Sequence, residues 1–399
     1  MKVLHLATSE YGGAGIAAVR MNEALRAIGI DSELISRDGR DSKYFSKTDK
    51  FKSSTLTFLQ QKLIQNSSSL MTPLGVDFSE QISHKISQAT VLHLHASYNL
   101  VSLDFLSRLN AKKLIVLTLH DERYLTGGCH ISYGCERYLD SCIDCPQSRF
   151  LGKFIVSKSF QKNKINIKGI EKLVMIAPSN WMYTKVKHHP LYSKFKTYEV
   201  QNPIPSIFEA DQNCITDRTS QNNDKMNFTF VASDVNNPIK NISTLKKAFG
   251  LLDVNILNKI RLNLVGSGTH TGFPKNLEVV HHGLLGESSV AKILKSTSIL
   301  FVISTQDNLP SVIGEGLMAG CSVIGSRVGG IPKILQDFEM PIIDPLDSKS
   351  LKDEIKMAFL SGYKTADIAL ANKYFSYESV AEKMKEIYEK NLSSRFEIN

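Results

Sequence analysis

The sequence predicts an α/β protein of two doubly wound domains, and three observations carry that prediction. Short apolar runs alternate with helix-length segments along the whole chain. The 399 residues exceed what one ordinary hydrophobic core encloses. Midway, QNPIPSIFEADQNCITDRTSQNNDKMN (201–227) breaks the pattern with Asn, Pro and little periodicity. Runs that are apolar throughout, rather than alternating, mark parallel strands covered by helices on both faces.

In chain order the first half supplies VLHLA (3–7), VLHLH (91–95), LIVLTL (114–119) and LVMIA (173–177). The second half supplies FTFVA (228–232), LNLVG (262–266), LEVVH (277–281) and ILFVI (299–303). Between them lie segments such as AGIAAVRMNEALRAIG, with apolar residues at helical spacing. The expected layout is a first domain over 1–200, a linker over 201–225, a second domain over 226–375 and a terminal segment over 376–399. Within that last segment VAEKMKEIYEKNL (380–392) is amphipathic and can pack against either domain.

Composition removes several classes. Apolar residues make up 42% of the chain, enough for sizeable cores and too many for a disordered protein. No apolar run approaches the roughly 18–20 residues that span a bilayer. The opening MKVLHLATSEYGG reads as a strand leading into a glycine turn rather than a signal peptide, so a cytoplasmic location with reduced cysteines is expected. Charge is uneven. Residues 1–200 hold 27 Lys and Arg against 17 Asp and Glu, net +10, while 201–399 hold 21 against 22. Residues 151–200 alone hold ten Lys and two Glu. Either this is a solvated face or the first domain meets an anionic partner.

Open α/β sheets bind ligands at the carboxyl ends of their strands, so the loops there hold the candidates. After VLHLA, Gly12, Gly13 and Gly15 let the backbone approach a ligand, and a helix starting near Ala14 offers N–H groups to a phosphate. A plain tight turn explains the same glycines. Gly-x-Gly-x-x-Gly is not supplied, and Asp38 follows the second strand only after a break, so a dinucleotide cofactor is not indicated. His120 ends the run LIVLTL, either bonding Asp121 or facing a sugar hydroxyl. Lys240 precedes NISTLKKAF, where an ammonium and a helix N-terminus share one place.

The stretch QDNLPSVIGEGLMAG is the most informative. Asn308, Leu309, Pro310 and Ser311 form a turn into a helix, with Pro310 suited to its first turn. Free N–H groups there suit a diphosphate. Asp307 before them can accept from sugar hydroxyls, and Glu315 one turn into the helix can accept from a ribose diol. Two carboxylates bracketing an anion site describe a nucleotide diphosphate sugar. The bland alternative makes Asp307 a helix cap and Glu315 a buried ion-pair partner.

These residues carry a resemblance. Asp307, seven residues, Glu315 and then GLMAGCSVIGSRVGGIP resemble the Glu-x7-Glu signature of the GT-B fold retaining glycosyltransferases of family 4, the group 1 glycosyl transferases. The order of the Gly12–Gly13 loop, His120–Asp121, APSNW (177–181), Asn202–Pro203, VGSG (265–268) and the terminal helix extends it over nearly the whole chain. The resemblance implies an acceptor-binding first domain and a donor-binding second one. It further implies Lys240 on the phosphates, Asp307 and the amides after it on sugar and phosphates, Glu315 on ribose, and His120 near the transferred sugar. Transfer would be front-face, with no catalytic cofactor; no Asp-x-Asp occurs in the sequence. Four positions depart from the family pattern: Asp307 for Glu, Asn241 for the Gly after Lys240, Ile239 where an Arg is usual, and Lys333 for Glu.

An insertion over 127–146, CHISYGCERYLDSCIDC at its heart, is left over. Cys129, Cys135, Cys142 and Cys145 are separated by five, six and two residues, and Cys-x-x-Cys is a common half of a zinc site. A structural zinc, packed free thiols and redox chemistry all remain open; Cys214 and Cys321 look unrelated. The expected function is hexosyl transfer from a nucleotide diphosphate sugar to a glycan or lipid-linked glycan in surface polysaccharide biosynthesis. The lysine-rich first domain is expected to rest peripherally on the anionic inner face of the plasma membrane. The enzyme rival is a nucleotide-sugar epimerase of similar fold, which leaves those lysines without a use. Nucleic acid is not an expected partner, because no aromatic-rich basic motif accompanies the charge.

Overall fold

A computed structural model describes residues 1–39, 42–64, 71–109, 113–211 and 225–393. Most of the expected linker (212–224), with Cys214, and the end of the terminal segment (394–399) lie outside them. The chain divides into two compact units, Met1–Pro203 with Val380–Asn399, and Ile204–Ser379.

The first unit is built on β1 (Lys2–Ser9), β2 (Asp31–Asp38), β3 (Val91–His95), β4 (Leu114–Thr118), β5 (Leu173–Ala177) and β6 (Lys196–Glu199). All pair in parallel in the order β2-β1-β3-β4-β5-β6. β3, β4 and β5 are buried at every position, as apolar runs covered on both faces must be. Asp38 ends β2 directly, with no break before it. The half-polar edge strand β6, KTYE, gave no apolar signal. The terminal helix Tyr377–Ser393 joins this unit from Val380 onward, burying Met384, Ile387 and Tyr388.

The second unit holds β7 (Met226–Asp234), β8 (Ile260–Ser267), β9 (Glu278–Gly283), β10 (Ile299–Val302), β11 (Ser322–Ser326) and β12 (Ile342–Ile343). They are again parallel, in the order β12-β11-β10-β7-β8-β9. Phe228, Phe249 and Phe301 meet edge-on or tilted in one core layer. On the other face the helix Ser311–Met318 packs through Ile313 and Leu317. Its small residues have a packing reason: a Cβ at Gly316 would meet Leu300 Cδ2 at 2.3 Å, and one at Gly314 would meet Ile204 and Phe375 at 3.0 Å.

In each sheet the chain reverses its direction of winding once, between β1 and β3 in the first and between β7 and β10 in the second. Connections leave such a pair on opposite faces, which opens a crevice at the carboxyl ends of the strands. The candidate residues follow β1, β4, β7 and β10.

Candidate active site

In the second unit the crevice lies between the ends of β7 and β10. After β7 the chain turns tightly, with Asn237 Oδ1 accepting from the Ile239 amide at 3.0 Å at the start of a short 3-10 turn, Pro238–Lys240. Asn241 then adopts φ 64, a left-handed conformation open to Gly and, among the others, chiefly to Asn. Its side chain uses that position: Nδ2 donates to the Ile303 carbonyl at 3.0 Å and to that of Pro345, and Oδ1 accepts from Thr244 at 2.8 Å. Asn where the resemblance implies Gly therefore keeps the turn and ties it to the end of β10.

That turn delivers Lys240 to Asp307. Lys240 Nζ lies 2.6 Å from Asp307 Oδ2, both partly buried, and Ser304 Oγ donates to the same oxygen at 3.3 Å. Asp307 thus does not cap the helix that follows. Pro310 takes the N-cap position itself rather than the first turn, with no side chain capping Ser311–Met318. Asn308 and Leu309 are buried, and Glu315 is buried on the helix. The loop is clamped by the glycine pair after β11: Gly330 N donates to Asn308 O at 2.6 Å, and a Cβ at Gly329 (φ 54) would stand 1.7 Å from Asp307 O. Lys333, exposed on the helix Ile331–Asp337, pairs with half-buried Asp337.

In the first unit the crevice lies between β1 and β3. The helix Gly12–Ala27 starts at Gly12 (φ 75), two residues ahead of the expected Ala14, and no side chain caps it. Gly15 is fixed by packing, since a Cβ there would lie 2.4 Å from Ser9 O; Gly12 and Gly13 have nothing within 4 Å. His120 follows β4, one strand beyond.

Half-buried His120 heads a row of buried histidines that the sequence reading missed. Its Nε2 lies 3.0 Å from His95 Nδ1, and His95 Nε2 lies 3.0 Å from His5 Nδ1. The parallel register of β1 and β3, with two-residue spacing along β3, puts His5, His93 and His95 on one side of the sheet. Burial keeps the imidazoles neutral: His5 is lowered to about 3, His120 to about 4 against the pull of Asp121, and His93 and His95 well below the usual range. A neutral ring has one N–H, so the two bonds must run in one direction. His5 Nε2 is buried without a partner, where a bare nitrogen costs less than an orphaned N–H. His5 therefore donates to His95 and His95 to His120, leaving His120 with its proton on Nδ1. The ring nitrogens of His5, His93 and His95 also lie within 4.8 Å of one another, the spacing of a metal group. His93 spends both nitrogens on Tyr388 OH (2.6 Å) and Thr118 Oγ1 (2.7 Å), so hydrogen bonding accounts for its place.

Asp121 does not bond His120 as its neighbour in sequence. Its Oδ2 lies 2.7 Å from His130 Nδ1, and its Oδ1 accepts from the Arg123 amide at 2.9 Å. Desolvation, the largest single influence, works against the carboxylate, but His130, the Arg123 amide and His120 together hold Asp121 below the usual range. The structure thus joins Lys240, Asp307 and the Asn308–Ser311 turn in one unit, and sets Gly12, Gly13 and His120 along one sheet edge in the other.

Comparison with known proteins agrees with the fold. Residues 215–374 match the family described as glycosyl transferases group 1. Over 104 residues, 25% of this chain, the sequence is 30% identical to N-acetyl-alpha-D-glucosaminyl L-malate synthase of Bacillus anthracis; the match spans 27% of that protein's length. Sucrose-phosphate synthase of Thermosynechococcus elongatus superposes with a TM-score of 0.63 at 14% identity, covering 98% of this chain and 99% of that one. Anabaena HepE in complex with UDP-glucose gives 0.61 at 14% identity, covering 98% and 100%. The two parallel six-stranded sheets are those of the GT-B fold, and residues 215–374 are similar to the glycosyl transferases group 1 family.

Proposed function

We propose that this protein is a retaining glycosyltransferase that moves a hexosyl unit from a nucleotide diphosphate sugar to a glycan or lipid-linked glycan acceptor in surface polysaccharide biosynthesis. One observation carries the reading: Lys240 and Asp307 are paired at the switch point of the second sheet, beside an uncapped helix N-terminus. An anion at that helix end meets free N–H groups and an ammonium together. The UDP-glucose complex of the HepE neighbour supports a nucleotide-sugar donor for this fold.

In this mechanism the diphosphate leaves with its charge taken up by Lys240 and by the amides after Pro310. Stabilisation of this kind is usually the largest catalytic term. Asp307 bonds Lys240 and Ser304 through Oδ2, leaving Oδ1 as the acceptor for a sugar hydroxyl. Glu315 takes the ribose diol. The acceptor hydroxyl attacks from the face the diphosphate leaves, and a phosphate oxygen takes its proton, so the chemistry needs no metal. The first unit binds the acceptor. Gly12 and Gly13, which no packing contact requires to be small, give the backbone close approach to the donor. His120 is assigned a hydroxyl of the transferred sugar.

Incubation with a panel of nucleotide sugars and glycan acceptors tests the proposal. Transfer with retained anomeric configuration is expected. Product confined to an epimerised donor, or no turnover with any donor that raises the thermal midpoint, defeats it.

A further inference from the structure

The cysteine loop lies outside the transfer machinery and forms a small core of its own. Cys129, Cys142 and Cys145 are buried with Tyr138, Val156 and Phe160, against the helix Phe150–Lys168. All four loop cysteines, with Thr126 and Ser132, line one cavity of about 10 Å³. That is room for a single water-sized occupant. Thiols packed only as small hydrophobes would close such a void, because interiors are filled to crystal-like density. We propose that this cavity is a structural zinc site held by the thiolates of Cys129, Cys135, Cys142 and Cys145.

The surroundings fit a thiolate cage. Cys129, Cys142 and Cys145 belong to one buried cluster and line the same void. The Gly127 amide donates to Cys142 Sγ at 3.2 Å. N–H groups aimed at sulfur orient and stabilise thiolates in the way outer-shell partners do. Four thiolates and one Zn²⁺ leave a net charge of −2, and the cations Arg137 and Lys153 stand next to Cys145, where both pair with Asp144. Left-handed turns at Tyr133 (φ 50) and Cys142 (φ 51) curl the chain back so that distant cysteines face one void.

No three of the four thiols yet come within 4.8 Å of one another, among the described residues. A tetrahedral site with Zn–S near 2.3 Å sets its sulfurs about 3.8 Å apart. Binding must therefore draw the shell inward, with half-buried Cys135 the freest to move. Zn²⁺ displaces the thiol protons to solvent, and neither oxidant nor reductant is needed. The benefit reaches the sheet edge, because Cys129 adjoins His130, the partner of Asp121 beside His120.

The full chain, purified without chelator, tests the proposal by metal analysis and by cobalt(II) exchange. About one zinc per chain is expected, with a fall in thermal midpoint on chelation. Cobalt should give intense thiolate charge-transfer and tetrahedral d–d bands, which weaken in Cys142→Ser and in Cys145→Ser. Should either variant fail to fold, the cobalt spectrum of the unaltered chain decides. Failure to retain metal after zinc loading overturns the site, as does a Cys129–Cys145 disulfide in the reduced preparation. Cobalt bands unchanged by the serine variants would move the metal elsewhere and overturn it equally. None of these readouts depends on transferase activity.

Discussion

The ion pair of Lys240 with Asp307 sets what each side chain does in the proposed reaction. Lys240→Ala removes the ammonium from the leaving diphosphate and should lower kcat about 10²–10³-fold, as loss of one charge-stabilising donor does elsewhere. Unchanged turnover would shift that role to another group. Asp307→Asn keeps the side chain's shape but loses its charge, so transfer should suffer more than nucleotide affinity. Glu315→Gln should do the reverse, weakening nucleotide binding about tenfold through loss of a charged acceptor. Isothermal titration beside steady-state kinetics separates the two carboxylates. The histidine row makes a prediction of a different kind. His5 and His120 stay neutral to about pH 3 and 4, whereas unfolded histidine takes up a proton near 6.5. The unfolded chain then binds more protons below pH 6.5, so this stability is complete above 6.5 and is lost as pH falls toward 4. Each such ring contributes a slope of about 1.4 kcal/mol per pH unit in that window. Urea midpoints measured from pH 8 to 4 should show it, and His5→Gln, which keeps a hydrogen-bonding group, should flatten it.

At the level of elements, strands were legible where burial on both faces makes the run apolar, and illegible where it does not. β3 and β5 carry the bounds read from VLHLH and LVMIA, while β6 and the two-residue β12 offer no pattern to read. The Asp307–Glu315 segment was legible because its chemistry is contiguous in the chain. The His5–His95–His120 row was not, since its three histidines come from three different apolar runs far apart in the chain; the spacing of His93 and His95 was the one available clue. The clamp by Gly329 on Asp307 O is likewise a contact across two loops. Asn241 is the element-scale test. At φ 64, Asn241→Ala loses the bonds to Ile303 and Pro345 and keeps a left-handed Cβ, so it should fall about 1–2 kcal/mol below Asn241→Gly. Asn241→Gly relieves the backbone and loses only the bonds. A thermal midpoint ordered Asn above Gly above Ala is expected; Ala equal to Gly would mean the backbone conformation is not what the turn demands.

Across the whole molecule, no helix among the described residues is long and apolar enough to cross a membrane, yet the first 200 residues carry net charge +10. The helix Phe150–Lys168 shows how that charge is displayed. Leu151, Phe154, Lys158, Lys162, Ile165 and Lys168 are all exposed and recur at three- and four-residue spacing, so one stripe mixes apolar and cationic side chains. Phe154 is 65% exposed and Ile165 71%, and Lys158 Nζ sits 5.4 Å from the Phe154 ring centroid. A lysine face shaped only for water has no use for exposed Phe and Ile at those positions, whereas an interfacial helix buries them among headgroups with its lysines at the phosphates. Peripheral attachment to an anionic leaflet follows as a proposal, and each Lys near such a surface contributes about 1 kcal/mol. Lys164 is half-buried, so it should matter less than its neighbours. In liposome co-sedimentation the chain should bind vesicles containing anionic lipid, release with added salt, and lose most binding when Lys158, Lys162 and Lys168 become Glu. Phe154→Ser should weaken binding without steepening its salt dependence, since it removes apolar burial and no charge. Equal binding to neutral vesicles, or none at low salt, would show that the stripe is a solvated face and leave the transferase reading untouched.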